Sequence, residues 1–206
     1  MLYPRIVKLN GREVLVDDGQ CVGYKEHMLQ EHRILFFSGQ IGGEMDSHNL
    51  LMALDSLSND PIKLIITSPG GDLDSAFLFY DTMRLVKSPI ITIGRYCASA
   101  AAMFLAAGSK RYLYTHAKVM LHLPSNYFAK DTAIPVQDLE IIHRESKKYK
   151  ERMIEVILEC GVKKSREQLL IDIDREFWLD AKEAIEYGLA DEILTPEVWQ
   201  SWVKED

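Results

Sequence analysis

The amino-acid sequence predicts an α/β domain built around a largely parallel sheet. Short apolar runs of strand length recur along the chain, and segments with helical periodicity separate them. Glycine or proline residues mark most of the junctions. Because parallel strands need such crossover connections, and the crossovers are right-handed, we expect a series of βαβ units that share one core.

The predicted elements follow one another without an obvious linker. In numbers they are a strand at 34–37, a helix capped by Asp46 or Ser47, a strand at 63–67, a helix at 74–86, a strand at 89–94, a helix at 99–107 and a strand at 118–121. A long helix follows near 139–160, then shorter helices at 165–173 and 181–187 and a short strand at 192–194. The long helix has one apolar stripe and one charged face, a pattern typical of packing against a neighbouring element or subunit.

Residues 1–32 differ from the rest, since they are polar and contain several turn signals. We expect them to form an N-terminal arm or hairpin, and residues 33–206 to form a single domain. The chain has 206 residues, 47% of them hydrophobic, which is enough for one core.

Composition excludes several classes of partner. The formal net charge of −7 argues against nucleic acid, because phosphate binding needs a basic surface. Cys21, Cys97 and Cys160 are widely scattered, so we expect neither a disulfide framework nor a metal site. We therefore expect the protein to lie in the reducing cytoplasm. We see no signal peptide and no apolar stretch long enough to span a bilayer, so we expect no membrane partner.

Three segments carry the parts of an acyl-transfer site. Ser68-Pro69-Gly70-Gly71 follows one predicted strand and offers unhindered backbone N–H groups, Ser99 opens a helix of small residues, and His122 ends a strand. Catalytic groups gather at the carboxyl ends of parallel strands, so we expect these three to meet. They would supply an oxyanion hole, a nucleophile and a general base.

Each of these residues also has a purely structural interpretation. The glycine pair could form only a tight turn, Ser99 could be a helix N-cap, and His122 could be a hydrogen-bonded structural histidine. Cys97 could be a thiol nucleophile, although its apolar neighbours favour a core position. Periodicity does not choose the acid that would orient the histidine. The candidates are Asp172, Asp174, Glu176 and Asp180, which all fall in one acid-rich segment that we expect to be a loop.

With these motifs in order, the sequence resembles the ClpP family, the proteolytic subunits of Clp proteases. The resemblance covers about residues 33–194 and rests on five segments in register: 65–71, 80–83, 98–108, 119–124 and 184–191. It implies that Ser99 is the nucleophile and His122 its general base. Counting back from Tyr187-Gly188, Glu176 falls where the family has its catalytic aspartate, with Asp174 as the second choice.

The resemblance also implies the remaining machinery. The backbone N–H groups of Gly71 and Ala100 fall where the family forms its oxyanion hole, and no cofactor or metal is implied. The implied fold is a crotonase-like α/β spiral of βαβ units with the long helix as a handle. The implied assembly is a homo-oligomer of stacked heptameric rings around a chamber, to which a partner AAA+ ATPase feeds unfolded proteins for hydrolysis of their peptide bonds.

Two other functions remain open from the sequence. One is a non-catalytic ring subunit, a scaffold or regulator, because glutamate replaces aspartate at position 176 and residues 125–130 replace a glycine-rich segment of the family. The other is a crotonase-type acyl-CoA enzyme, since that fold also presents glycine N–H groups to an acyl oxygen.

Overall fold

The computed structural model describes residues 5–9, 12–17, 20–43, 47–125 and 133–203. The N-terminal segment forms a small antiparallel sheet of β1 (Arg5–Leu9), β2 (Arg12–Asp17) and β3 (Gln20–Cys21). The helix α1 (Val22–His32) follows it directly.

A larger sheet carries the rest of the described chain. Its strands are β4 (Ile34–Ser38), β5 (Ile62–Ser68), β6 (Ile90–Ala98), β7 (Lys110–Leu121), β8 (Phe177–Asp180) and β9 (Glu192–Ile193). The order is β4-β5-β6-β7-β8, and β9 pairs with the beginning of β7. The first four strands and β9 are parallel to their neighbours, whereas β8 runs antiparallel to β7.

Helices cover both faces of this sheet. They are α2 (Ser47–Leu57), α3 (Leu73–Leu85), α4 (Ala100–Ala106), α5 (Val136–Glu159), α6 (Arg166–Asp172), α7 (Ala181–Tyr187) and α8 (Pro196–Val203). The main core lies between the sheet and α2 to α7, with the rings of Phe37, Phe79 and Phe104 in mutual contact. A smaller core on the other face joins Met28 of α1 to residues of α8 such as Trp202.

The structure corrects two of the sequence predictions for this sheet. The strand predicted at 118–121 begins at Lys110, and the acid-rich segment predicted as a loop contains β8. The polar residues Thr115 and His116 and the charged pair Lys110 and Arg111 interrupt the apolar pattern of β7, and β8 has only four residues, too few for a periodic signal. The capping role of Asp46 lies outside the described residues.

The N-terminal arm predicted for residues 1–32 comprises the hairpin β1–β2, β3 and α1. Its last helix is not detached from the domain, because Met28 is only 3% exposed and packs on the sheet. The division of the chain into an arm at 1–32 and a single domain at 33–206 therefore stays a prediction. Among the described helices, none combines the length and the apolar character needed to cross a bilayer.

Candidate active site

Ser99 occupies a sharp bend between β6 and α4. Its φ of 57° and ψ of −127° lie in a region that side chains other than glycine rarely adopt. Such a conformation costs free energy and persists only where the surroundings fix it. Here the Ser99 N–H donates to the Met120 carbonyl of the neighbouring strand at 2.8 Å. The Ser99 hydroxyl does not cap α4, so the N-cap interpretation of this serine is not supported.

Gly70 allows the loop after β5 to lie directly against this bend. Its φ is +90°, and a Cβ at this position would lie 2.6 Å from the Ala98 carbonyl oxygen and 2.7 Å from Ser99 Cβ. The Gly70 N–H donates to the buried Ser68 hydroxyl at 3.1 Å, which holds the turn in shape. Glycine at this position is therefore a requirement of close packing beside Ser99, and not only of a turn.

His122 follows the last residue of β7 and reaches across to the serine. The distance between His122 Nε2 and Ser99 Oγ is 2.7 Å, a hydrogen bond of the geometry that a nucleophile and its general base require. Beyond it, Leu123 N–H donates to the Ile173 carbonyl at 3.0 Å, which turns the chain away from the sheet. The structure thus brings these two predicted residues together.

The two predicted oxyanion donors both lie next to the site, since Gly71 lines the same cavity as Ser99 and Ala100 follows Ser99 in the chain. Ile41 N–H donates to the Gly70 carbonyl at 2.8 Å, and Asp72 N–H donates to the Ile41 carbonyl at 2.9 Å. In extended backbone the N–H of the residue between these groups points the opposite way, so Gly71 N–H faces away from Ile41. Ala100 N–H opens α4, where the first N–H groups have no partner within the helix.

The predicted acid lies near the histidine without bonding to it. Glu176 is exposed and lines the same cavity as Ser99 and His122, but its Oε2 accepts a hydrogen bond from the Trp178 indole N–H at 3.0 Å. Within the described residues, His122 has a hydrogen bond only to Ser99. The structure therefore brings Glu176 to the site but does not place it in a complete triad.

The other acidic candidates are engaged elsewhere or face solvent. Asp172 accepts hydrogen bonds from the Tyr187 hydroxyl at 2.8 Å and the Gln168 amide at 2.7 Å. Burial and this carboxylate together raise the pKa of Tyr187. Asp174 is exposed and forms a loose ion pair, 3.9 Å, with Arg175. Asp180 caps α7 in a capping box with Glu183.

A cavity of about 620 Å³ opens over Ser99 and His122. Its lining includes three acidic residues, Glu176, Asp72 and Asp74, and no lysine or arginine among the residues that the structure describes. Asp74 accepts a hydrogen bond from the Tyr149 hydroxyl, with its two oxygens at 2.7 and 2.8 Å, and this carboxylate raises the pKa of Tyr149. The contact joins α3 to α5. Sequence reasoning missed it because the two residues are 75 positions apart.

Cys97 is not a competing nucleophile. Its side chain is fully buried, and burial raises the pKa of the thiol, which disfavours the reactive thiolate. No group of three or more potential metal ligands occurs in the described part of the chain.

Comparisons with known proteins identify what the arrangement resembles. The family model described as Clp protease matches residues 19–197. The chain is 35% identical to ATP-dependent Clp protease proteolytic subunit 1 of Rhodopirellula baltica over 81% of this chain and 74% of the relative. It is 33% identical to proteolytic subunit 2 of Pseudomonas aeruginosa over 88% and 90%. A solved structure, that of a ClpP1 point mutant from Listeria monocytogenes, superposes with a TM-score of 0.74 at 29% identity, covering 84% of this chain and 97% of that one.

Proposed function

The chain belongs to the Clp protease family, and from this premise we propose that it is a serine endopeptidase acting on unfolded proteins and peptides. The observation that carries the proposal is the 2.7 Å distance between Ser99 Oγ and His122 Nε2, inside a cavity of the size usual for binding clefts. The relatives' names as proteolytic subunits do not favour a non-catalytic ring subunit or an acyl-CoA enzyme.

The proposed reaction uses the site as a general-base-assisted acyl transfer. His122 Nε2 takes the Ser99 hydroxyl proton while Oγ bonds to the carbonyl carbon of the peptide. The carbonyl oxygen becomes an oxyanion, for which the N–H groups of Gly71 and Ala100 are the proposed donors. His122 then protonates the leaving amine as the C–N bond breaks, and water repeats the sequence to release the acyl group from Ser99.

Glu176 is the proposed third member of the triad. It lines the cavity that contains His122, whereas Asp172 already accepts two hydrogen bonds and Asp174 is exposed beside Arg175. Its role would be to accept the Nδ1–H of His122, which fixes the ring orientation and stabilises the imidazolium formed during attack. Asp174 remains the second choice.

We also propose an oligomeric assembly and a partner for this chain. Relatives are named as subunits of ATP-dependent proteases, so we propose that this chain assembles into an oligomer and works with a Clp ATPase. More specifically, we propose that the oligomer consists of stacked heptameric rings and that an AAA+ unfoldase supplies it with unfolded chains. Exposed apolar residues at the start of α5, Val136, Leu139 and Ile141, support assembly, because such surfaces are usually covered. The free thiols of Cys97 and Cys160 support a cytoplasmic location.

A serine-reactive fluorophosphonate probe tests the function directly. We expect the wild-type chain and an exposed-serine control, Ser201→Ala, to be labelled and to hydrolyse a neutral fluorogenic peptide. Ser99→Ala should lose both properties while keeping the wild-type oligomeric mass by light scattering. Equal labelling of Ser99→Ala and wild type would show that Ser99 is not the nucleophile.

A further inference from the structure

The end of the β7–β8 ladder lies next to both Glu176 and His122. The ladder pairs Met120 with Trp178 and ends at Leu121 with Phe177, so His122 and Glu176 are the next residues on the two segments, and both line the same cavity. Residues opposite each other in an antiparallel pair project from the same face, with Cβ atoms about 5 Å apart. Glu176 therefore starts from a backbone position within reach of the histidine ring.

Trp178 is the second residue of β8 and Glu176 immediately precedes that strand, and residues two apart in an extended chain project to the same side. Its indole N–H donates to Glu176 Oε2 at 3.0 Å. The indole ring packs against the ring of Tyr96 on β6, with centroids 6.1 Å apart and planes inclined by 44°. The donor is thus attached to one strand and braced by a second.

A glutamate in this position needs an anchor more than an aspartate would. It has one additional rotatable bond, and the Glu176 side chain is exposed, so a free carboxylate would spend much of its time in water. A carboxylate has two oxygens and can accept several hydrogen bonds at once. Trp178 occupies Oε2, and neither Oε1 nor His122 Nδ1 has a hydrogen-bond partner among the described residues.

We propose that Trp178 is a positioning residue for the triad. Its indole N–H anchors one oxygen of Glu176 on the face that His122 shares, and the other oxygen then accepts the Nδ1–H of His122. This inference rests on the proposed peptidase function. It explains how the longer acid can serve where the family has aspartate. In the alternative arrangement, Trp178 and His122 compete for Glu176, and removing the indole N–H would then raise kcat instead of lowering it.

Replacement Trp178→Phe keeps the ring against Tyr96 and removes the N–H. With a neutral fluorogenic peptide we expect kcat to fall by about three- to tenfold, the range of one lost hydrogen bond, with KM unchanged. The acidic limb of the kcat/KM profile should move to lower pH, because a poorly held carboxylate stabilises the imidazolium less. Trp199→Phe on α8, a matched substitution far from the cavity, should change neither quantity.

A second background tests whether Trp178 acts through Glu176. In a Glu176→Ala chain, Trp178→Phe should have no further effect on kcat, since the group that it positions is gone. Replacement of Trp178 by β-(3-benzothienyl)alanine, which has the shape of tryptophan but no N–H, should reproduce the loss of kcat. This variant also decides the matter should the phenylalanine chain fail to fold.

Three results would overturn the inference. They are an unchanged kcat in both Trp178 variants, an increased kcat, which would indicate competition, and an equal loss in the Glu176→Ala background, which would indicate a structural role. In each case the wild-type chain still hydrolyses the peptide and reacts with fluorophosphonate. A wild-type chain that does neither would instead refute the proposed function and remove the premise of the inference.

Discussion

The close approach of Gly70 to the nucleophile bend makes the substitution Gly70→Ala informative. The added Cβ would lie 2.6 Å from the Ala98 carbonyl oxygen and 2.7 Å from Ser99 Cβ. Ordinary van der Waals contacts between such atoms begin near 3.4 Å. The loop and the bend must therefore separate by roughly 1 Å, and a displacement of about 1 Å at a reacting group can lower the rate about 10²-fold.

The substitution also strains the backbone, and a second glycine isolates that contribution. Gly161, after the end of α5, has a φ of +89°, almost identical to the +90° of Gly70, but no atom lies within 4 Å of its Cβ position. Alanine at either position should lower the free energy of unfolding by about 1–2 kcal/mol through backbone strain. Only alanine at position 70 should also displace Ser99.

The assay combines urea denaturation at one protein concentration with kcat/KM for a neutral fluorogenic peptide. We expect Gly161→Ala to be destabilised with wild-type activity, and Gly70→Ala to be at least as destabilised and about 10²-fold less active. The reasoning would be refuted by a folded Gly70→Ala chain whose kcat/KM stays within about twofold of that of Gly161→Ala. The loop would then not need to touch the nucleophile bend.

Three further predictions concern charge and burial. Arg111 donates to Asp191 and to two backbone carbonyls, so Arg111→Met should lower the free energy of unfolding by about 2–4 kcal/mol in urea titrations at pH 7. Burial alone would raise the pKa of Asp191, but the hydrogen bonds from Arg111 outweigh it and hold this pKa below its usual value. This stabilisation is present above the carboxyl pKa of the unfolded chain and is lost as the pH falls through the lower pKa of the folded chain. The difference in unfolding free energy between the wild type and Arg111→Met should therefore become smaller in acid, and a difference that stays constant with pH would contradict the prediction. Burial raises the pKa of Cys160 to about 11 and also raises that of Cys97, so mass spectrometry after iodoacetamide at neutral pH should find both unmodified until urea is added. Because the described cavity lining is acidic, peptides with glutamate beside the cleaved bond should have a lower kcat/KM than those with glutamine, and salt should reduce the difference; no effect of salt would argue against a Coulombic cause.

Sequence patterns predicted most of the fold from β4 to α4, since apolar runs and helical stripes there alternate regularly. The same reasoning placed Gly70-Gly71, Ser99 and His122 at strand ends, and the structure brings these together. Local patterns were sufficient in this part because each residue's position depends on its own strand.

The acid and its surroundings depend on non-local pairing. Glu176 lies near His122 only because β8 adds to the edge of β7 in one register, and a strand register is set by contacts between distant segments. The contact of Trp178 with Tyr96 and that of Asp74 with Tyr149 arise in the same way. The positive φ of Ser99 is also hidden, because the sequence places a serine where the backbone would favour glycine.

The backbone of Ser99 has a consequence for how this protein can change. Glycine at position 99 would relieve a strain of roughly 1–3 kcal/mol, and so would stabilise a chain that has lost its hydroxyl. Selection or engineering for thermostability alone would therefore favour an inactive protein at this position. Activity and stability are opposed at the nucleophile, and any gain in robustness that keeps turnover must come from elsewhere in the fold.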